Sequence, residues 1–192
     1  MDRAEEGRLL RQAQRGDADA FAALYREHVQ VIYRYIVHRV GDHHLAEDLT
    51  ADVFTKALQG LDRYREQGKP LVAWLYRIAR ARVIDHYRRT SRRPVESDVE
   101  AEPLPFDADL DTPMVRREAA RVLRAAIAEL TEDQQQVVIL RFVEGYRVEA
   151  IASLMGKQPN AIKALQHRAL RTLANRLARA GFDIESVLAG IS

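Results

Sequence analysis

A segment that cannot join a helical core divides this chain in two. Residues 94–113 contain four prolines and seven carboxylates without a lysine or arginine. Proline breaks helices, and like charges extend a chain by repulsion. The segment therefore predicts a flexible acidic linker, and the sequence on each side of it must fold as a separate small domain.

Helical periodicity dominates both sides of this linker. Apolar residues recur every three to four positions over residues 17–41, over residues 44–61 and again after Pro70. Asp17 is a typical residue to begin a helix, and Gly41 is a typical residue to end one. Asn-Gly and Asp-Gly hairpin turns are missing. The pattern predicts an all-α protein whose first half is one compact bundle.

The second half has the pattern of a helix-turn-helix. Thr131 begins a helix with carboxylates in its first turn. A short helix over residues 148–154, a turn at Gly156 and a longer helix over residues 159–177 follow. In a helix-turn-helix the second helix enters the major groove of DNA. The alternative is an ordinary helical hairpin whose basic face is only solvated.

Positive charge is concentrated in two helices. Residues 74–93 hold seven arginines and one acid, a net charge of +6 that the chain's overall +2 conceals. Residues 157–179 hold six lysines and arginines without an acid, also +6 with histidine neutral. Guanidinium groups bind phosphates in bidentate fashion. A solvated basic face would explain either helix, but two such helices in two domains favour two separate DNA contacts.

Several function classes are disfavoured by what the sequence lacks. There is no cysteine, which excludes disulfides and cysteine-ligated metals, and the six histidines show no ligand spacing. We find no glycine-rich phosphate loop, nucleophile elbow or H-E-x-x-H motif, so we expect no enzyme, metal or cofactor. No apolar run approaches the roughly 20 residues that span a bilayer, and the charged amino terminus is unlike a signal peptide. We expect a cytoplasmic protein without membrane contact.

The order of these segments resembles the extracytoplasmic-function group of bacterial sigma factors, within the housekeeping-sigma family. The sequence DADAFAALYREHVQVIYRYI (residues 17–36) resembles the start of sigma region two, and AEDLTADVFTKAL (residues 46–58) its polymerase-binding helix. WLYRIARARVIDHYRR (residues 74–89) resembles the helix that melts and recognises the minus-ten element. Residues 130–173 resemble region four, which recognises the minus-thirty-five element.

The resemblance implies a protein without an active site that directs core RNA polymerase to promoters and starts transcription of a specific regulon. Its implied partners are the large-subunit clamp coiled coil and the flap of the polymerase, promoter DNA and, in many relatives, an anti-sigma factor. The implied domains are a region-two domain (residues 1–93), the acidic linker (94–114), a region-four domain (115–180) and a C-terminal tail (181–192).

Three sets of binding residues follow from the resemblance. Glu47, Asp48 and Asp52 are free to bind the polymerase coiled coil. The minus-ten set is Tyr64, Arg65, Lys69, Arg77, Arg80, Ala81, Arg88 and Arg89. The minus-thirty-five set is Asn160, Lys163, Ala164, His167, Arg168 and Arg171. Within the minus-ten region Trp74 is either a stacking platform for a base or a core residue of its apolar stripe, and the stripe favours the core.

This chain departs from the family pattern at positions that affect specificity. Ala81 stands where many relatives have asparagine in the minus-ten helix. Ala164 and Leu165 stand where serine and arginine are usual in the minus-thirty-five helix, and Ala51 replaces a common glutamine in the polymerase-binding helix. We therefore expect the mode of DNA binding to transfer from relatives, and the promoter sequence not to.

Other interpretations remain open from the sequence. A helix-turn-helix regulator of another class would bind a two-fold operator as a dimer without needing an acidic polymerase-binding helix. An enzyme would be indicated by turnover of a substrate. The linker acts either as a removable RNA mimic inside the polymerase or as a solvated spacer. The C-terminal tail caps the second domain, binds a regulator or serves as a degradation tag.

Overall fold

The computed structural model describes residues 1–65, 68–90 and 113–183. The chain divides into two compact units, Met1–Glu100 and Ala101–Ser192. Nearly all of the predicted linker lies outside the described residues, as do residues 66–67 of the minus-ten connection and most of the C-terminal tail. The RNA-mimic and tail interpretations therefore stay predictions.

Helices make up the described secondary structure of both units, which confirms the all-α prediction. The first unit contains α1 (Arg3–Ala13), α2 (Ala18–Val40), α3 (His43–Gly60), a 3₁₀ turn (Leu61–Arg63) and α4 (Leu71–Thr90). The second unit contains α5 (Pro113–Ala128), α6 (Glu132–Val138), a π turn (Ile139–Val143), α7 (Val148–Met155) and α8 (Pro159–Arg179). No described helix combines the length and the apolar character that crossing a bilayer would require.

The ends of α2 are set by the residues that the sequence indicated. The Asp17 carboxylate accepts a hydrogen bond from the backbone N–H of Ala20 at 3.0 Å, which satisfies a donor that the helix leaves free. At the other end Gly41 has φ 73°, in the left-handed region that favours glycine. Asp42 begins α3 in the same way as Asp17 begins α2, by accepting from Leu45 N–H at 3.1 Å.

The core of the first unit joins α2 to α4. Tyr35 and Tyr76 are fully buried, and their rings meet edge to face with centroids 5.0 Å apart. Such a pair contributes about 1 kcal/mol beyond the area that it buries. Ile32 and Ile36 complete this side of α2 with no exposed surface. Because one side of α4 is committed to this core, its arginines are placed on the others.

In the second unit α8 is held by α5 and α6. Leu123 of α5 packs in one cluster with Ala169, Leu173 and Leu177 of α8, and Phe142 packs against it. Helix α6 begins with the predicted cap: Gln134 N–H donates to the Thr131 hydroxyl and Thr131 N–H donates to the Gln134 side chain. The buried side of α8 is thereby fixed, and its other side faces solvent.

Two features of the fold differ from the sequence prediction. Helix α1 was not predicted, because the segment is charged and its apolar stripe is short; the Asp2 carboxylate begins it by accepting from Glu5 N–H at 2.8 Å. Pro113 was expected to interrupt any helix, and this is wrong, since α5 begins at Pro113. A proline in the first turn loses no helical hydrogen bond, because the first N–H groups have no partner there.

Candidate nucleic-acid interface

The turn between α7 and α8 sets the direction in which α8 leaves the second unit. Gly156 has φ 66° and ends α7 in the left-handed conformation, which residues with a Cβ rarely adopt. Lys157 N–H then donates back to the Ala152 carbonyl at 2.9 Å. Pro159 occupies the first turn of α8, where its fixed φ suits a helix. The predicted helix-turn-helix bounds are confirmed within a residue or two.

Helix α8 presents one buried and one exposed side. Ile162, Ala169 and Leu173 have no exposed surface, while Leu165 is half-buried. The exposed side holds every residue of the predicted minus-thirty-five set: Asn160, Lys163, Ala164, His167, Arg168 and Arg171. A helix with polar and cationic side chains along one exposed face has the form that fits a major groove.

Not every cation of this unit is available to a partner. Lys157 pairs with Asp133 of α6 at 3.0 Å, and Arg176 pairs with Glu129 at 2.5 Å. Lys163, Arg168 and Arg171 form no ion pair with any residue in the part of the chain that the structure describes. Lys157 in the turn before α8 and Arg176 near its end therefore join this segment to the rest of the unit, while Lys163, Arg168 and Arg171 between them point to solvent.

The arginines of α4 are also divided. Arg77, Arg88 and Arg89 are exposed, as is Ala81, and Arg80 is half-buried. Their positions agree with a surface for nucleic acid along the outer side of the helix. The sequence count of charge did not reveal that one further arginine of the same helix, Arg82, is paired with carboxylates of its own unit.

Arg82 pairs with two acids. Its guanidinium lies 2.8 Å from Asp85 on the same helix and 3.5 Å from Asp52 on α3. The prediction treats Asp52 as being as free as Glu47 and Asp48, whereas the structure places the Arg82 guanidinium beside it; the part of Asp52 in the acidic binding surface stays a prediction. Glu47 and Asp48 are exposed. The acidic face of α3 therefore offers one carboxylate that is paired and two that form no ion pair with the residues the structure describes.

The connection before α4 is built around Tyr64 and Trp74. Their ring centroids lie 4.6 Å apart, and Trp74 is half-buried, with Gly60 close beside the indole. This placement agrees with the packing interpretation of Trp74. Arg65 is exposed, and its guanidinium donates to the backbone carbonyls of Asp62 and Tyr64 at 2.8 and 3.1 Å. Lys69, also exposed, completes the predicted minus-ten set.

Helix α1 contributes contacts to this connection that the sequence did not indicate. The Gln14 side chain donates to the carbonyls of Leu61 and Tyr64, and the Glu6 carboxylate accepts from Leu71 N–H. Asp2 followed by Glu5 at the third position was a local signal for the helix itself. No local signal could have revealed partners that lie 47 to 65 positions away.

The electrostatics of the first unit reflect burial of two groups. Burial alone would raise the pKa of Glu6, but hydrogen bonds from His28 and from Leu71 N–H outweigh it and lower that pKa below its usual value. Burial lowers the pKa of His38 to about 4, helped by the charges of Arg34 and His43. Glu6 is therefore a carboxylate and His38 a neutral imidazole near neutral pH.

Comparison with known proteins extends these observations to both units. The family model described as Sigma-70 region 2 matches residues 24–93, and the model described as Sigma-70, region 4 matches residues 120–173. The ECF RNA polymerase sigma factor BldN of Streptomyces coelicolor is 40% identical over 92% of this chain and 67% of that protein. The ECF RNA polymerase sigma factor ShbA of Streptomyces griseus is 30% identical over 87% of this chain and 92% of that protein.

A solved structure shares the fold. The sigma factor RpoE of Bartonella quintana, crystallised with the anti-sigma factor NepR, superimposes with a TM-score of 0.61. The match covers 82% of this chain and 96% of that one, at 24% sequence identity. At that identity the likeness concerns the fold alone.

Proposed function

This chain belongs to the extracytoplasmic-function sigma factors of RNA polymerase. We propose a division of roles among three of its helices: α3 binds the polymerase, α4 binds the minus-ten element and α8 binds the minus-thirty-five element. Sigma factors bind core RNA polymerase and promoter DNA and direct transcription initiation at a specific regulon. The observation that supports the division is that α4 in the first unit exposes Arg77, Arg88 and Arg89, and that α8 in the second unit exposes Lys163, Arg168 and Arg171. We keep the domain limits of residues 1–93, 94–114, 115–180 and 181–192 as part of this proposal.

Helix α8 binds the minus-thirty-five element in the major groove. Lys163, Arg168 and Arg171 supply the charge that phosphates attract, and Asn160 and His167 supply hydrogen-bonding groups. The exposed Ala164 offers only a methyl group, which suits an apolar contact with thymine and cannot donate to a base. Specificity at that position then comes from shape.

Helix α4 and the connection before it bind the minus-ten element. Arg77, Arg88 and Arg89 are exposed along the helix and track the backbone of the non-template strand, while Arg80 and the methyl of Ala81 lie beside it. Tyr64, Arg65 and Lys69 receive an unstacked base, because contacts with the extruded base offset the free energy of unstacking. Opening of the duplex follows from this exchange.

Helix α3 binds the polymerase. Its exposed carboxylates, Glu47 and Asp48, complement a basic coiled coil of the large subunit, and the half-exposed Asp52 lies on their flank. Buried Val53 and Phe54 hold the opposite side of the helix in the unit, so the acidic side keeps a fixed orientation. The second unit binds the polymerase flap. RNA synthesis itself belongs to the polymerase, and the chain contributes binding alone in the cytoplasm, where polymerase and chromosome are.

An anti-sigma factor is a further partner in this proposal. The Bartonella quintana relative was crystallised with one, and a protein that covers α3 and α4 would block polymerase and DNA together. The first unit exposes apolar side chains that would favour such a cover: Leu58 of α3 is 55% exposed and Tyr25 of α2 is 40% exposed.

Run-off transcription tests the proposed function. Purified core polymerase is supplied with fragmented genomic DNA, with and without the protein, and transcript starts are sequenced. Starts that depend on the protein and share two upstream elements are expected. If no new starts appear and the protein binds DNA without polymerase, the result supports a helix-turn-helix regulator instead and removes the role given to α3.

A further inference from the structure

Gln14, the residue that caps the C-terminal end of α1, contacts the chain segment that leads into the minus-ten helix. The Gln14 amide group donates two hydrogen bonds, to the Leu61 carbonyl at 3.0 Å and to the Tyr64 carbonyl at 2.8 Å. Both bonds are partly buried. One side chain thus joins both ends of the short 3₁₀ turn that follows α3, in addition to the backbone hydrogen bonds that Tyr64 N–H donates to the carbonyls of Gly60 and Leu61 at 3.1 and 3.2 Å.

The first half of α1 contacts the other end of the same connection. The Glu6 carboxylate accepts from the backbone N–H of Leu71, the first residue of α4, at 3.1 Å. Its second oxygen lies 3.1 Å from His28 Nε2 on α2. Leu71 N–H is one of the donors that a helix leaves free at its start. Helix α1 therefore holds the chain where it enters the connection and where α4 begins.

Tyr64 is the residue that these contacts fix most completely. Its ring stacks near Trp74, with centroids 4.6 Å apart, and its carbonyl accepts from Gln14 and from the Arg65 guanidinium at 3.1 Å. The backbone there is extended, with φ −63° and ψ 131°. The position of Tyr64 in turn determines where Arg65 leaves the surface, and both belong to the set assigned to minus-ten DNA.

We propose that Gln14 is a positioning residue for minus-ten recognition: it holds Tyr64 and Arg65 in the conformation that receives the unpaired strand, and it does so without contacting DNA. This inference rests on the proposed function of α4 and its preceding connection. A binding segment that is ordered beforehand loses less conformational entropy when it binds. Without the two hydrogen bonds the connection samples other conformations, and each productive encounter becomes rarer.

A positioning role differs in its consequences from a general contribution to stability. Gln14 is half-buried. Its side chain bonds only to the backbone carbonyls of Leu61 and Tyr64 among the described residues, and not to the acidic residues of α3. Removing it should therefore leave polymerase affinity unchanged and lower only promoter opening. A residue that merely stabilised the first unit would affect both, because α3 and α4 belong to the same unit.

The test compares four holoenzymes on a promoter found by run-off transcription. The sigma factors are the wild type, Gln14→Ala, Gln14→Glu and the control Gln12→Ala. Gln14→Glu keeps the shape but replaces the donor with a carboxylate that the two carbonyls repel. Gln12 lies two residues earlier, in the last turn of α1, and its side chain accepts from Arg8 of that helix at 3.0 Å. Core affinity is measured by competition, and opening is measured by permanganate reactivity of unpaired thymines.

At a temperature at which all four proteins are folded by circular dichroism, we expect both Gln14 variants to form about tenfold less open complex, the effect of losing two ordinary hydrogen bonds. Their core affinity and that of the control should equal the wild-type value. Opening by Gln14→Ala equal to that of the wild type would overturn the positioning role alone, as would an equal loss of core affinity. Failure of the wild type to open any promoter would instead refute the proposed function, and the inference with it.

Discussion

The Arg82 guanidinium of α4 lies 3.5 Å from the Asp52 carboxylate of α3, and 2.8 Å from Asp85. A cation of the proposed DNA-binding helix is thus paired with an acid of the proposed polymerase-binding face. The pair is partly exposed, at 25% for Arg82 and 43% for Asp52, and such pairs contribute about 0–1 kcal/mol to stability. Its consequence is for binding: the charge of Asp52 is partly screened by Arg82 before any basic partner approaches.

The acids of α3 should therefore differ in their effect on polymerase binding. We expect the double substitution Glu47→Lys with Asp48→Lys to lower core affinity at least tenfold, because two exposed carboxylates become like charges for a basic coiled coil. Asp52→Asn should lower it less than threefold, since Arg82 already screens that carboxylate. Competition for core polymerase measures both, with Asp19→Lys on the exposed start of α2 as control. Equal losses for Asp52→Asn and the double variant would contradict this ranking.

Lys163 should make an ordinary phosphate contact. We expect Lys163→Ala to weaken binding of a minus-thirty-five duplex by the holoenzyme, and to reduce the slope of log affinity against log salt by about 1. Arg176→Ala is the matched control, because that arginine lies on the same helix but is paired with Glu129. Titration at several salt concentrations measures the slope. If Arg176→Ala reduces the salt slope as much as Lys163→Ala does, then the place of a cation on α8 does not decide whether it contacts DNA.

Stability should fall below pH 6.5 because of His38. Its pKa is about 4 in the folded chain and about 6.5 when unfolded, so between these values the unfolded chain binds a proton that the folded chain does not. The contribution of neutral His38 to stability is therefore fully present above pH 6.5. As pH falls from 6.5 to 4, the free energy of unfolding decreases by about 2 kcal/mol. Urea unfolding across this range measures the loss.

The matched variant for this pH effect is His38→Gln, which cannot titrate. We expect it to flatten the dependence between pH 6.5 and 4. The pKa of Glu6 is lowered in the folded chain. Its contribution to stability is therefore lost only as pH falls below the ordinary pKa of a glutamate, whereas the contribution of His38 begins to fall near pH 6.5. An unchanged slope in His38→Gln would assign the effect to another group.

The cap of α6 should stabilise the second unit alone. Thr131→Ala removes the acceptor for Gln134 N–H, and we expect a loss of about 1 kcal/mol in the free energy of unfolding of that unit. Thr131→Ser, which keeps the hydroxyl, should lose little. Denaturant unfolding followed by probes in each unit separates the two. The same loss in the first unit, or none in the second, would contradict a local cap.

Local signals explain why much of the fold could be predicted. Asp17 and Gly41 bound α2 because an aspartate cap and a left-handed glycine act on their own neighbours. The exposed side of α8 followed from its period, and every predicted minus-thirty-five residue lies there.

Pairing between elements could not be predicted from local pattern. The sequence counts Lys157 and Arg82 as free cations, but Asp133 and Asp52 lie on other helices and come near only in the folded unit. Gln14 likewise binds carbonyls 47 and 50 positions away. Charge sums along a segment show how many cations it has, and only the fold shows which of them remain available for DNA.

Run-off transcription from promoters with single base substitutions tests the division of labour between α8 and α4 most directly. Asn160→Ala with His167→Ala in α8, and separately Arg65→Ala with Lys69→Ala in the connection before α4 (the α4 variant), are each compared with the wild type on minus-ten and minus-thirty-five substitutions, because these residues are the ones proposed to contact bases. We predict that the α8 variant becomes indifferent to minus-thirty-five substitutions and stays sensitive to minus-ten ones, while the α4 variant behaves in the opposite way. Two results would contradict two independent DNA-binding surfaces. One is that a single variant loses its sensitivity to substitutions in both elements; the other is that both variants stay sensitive to both elements.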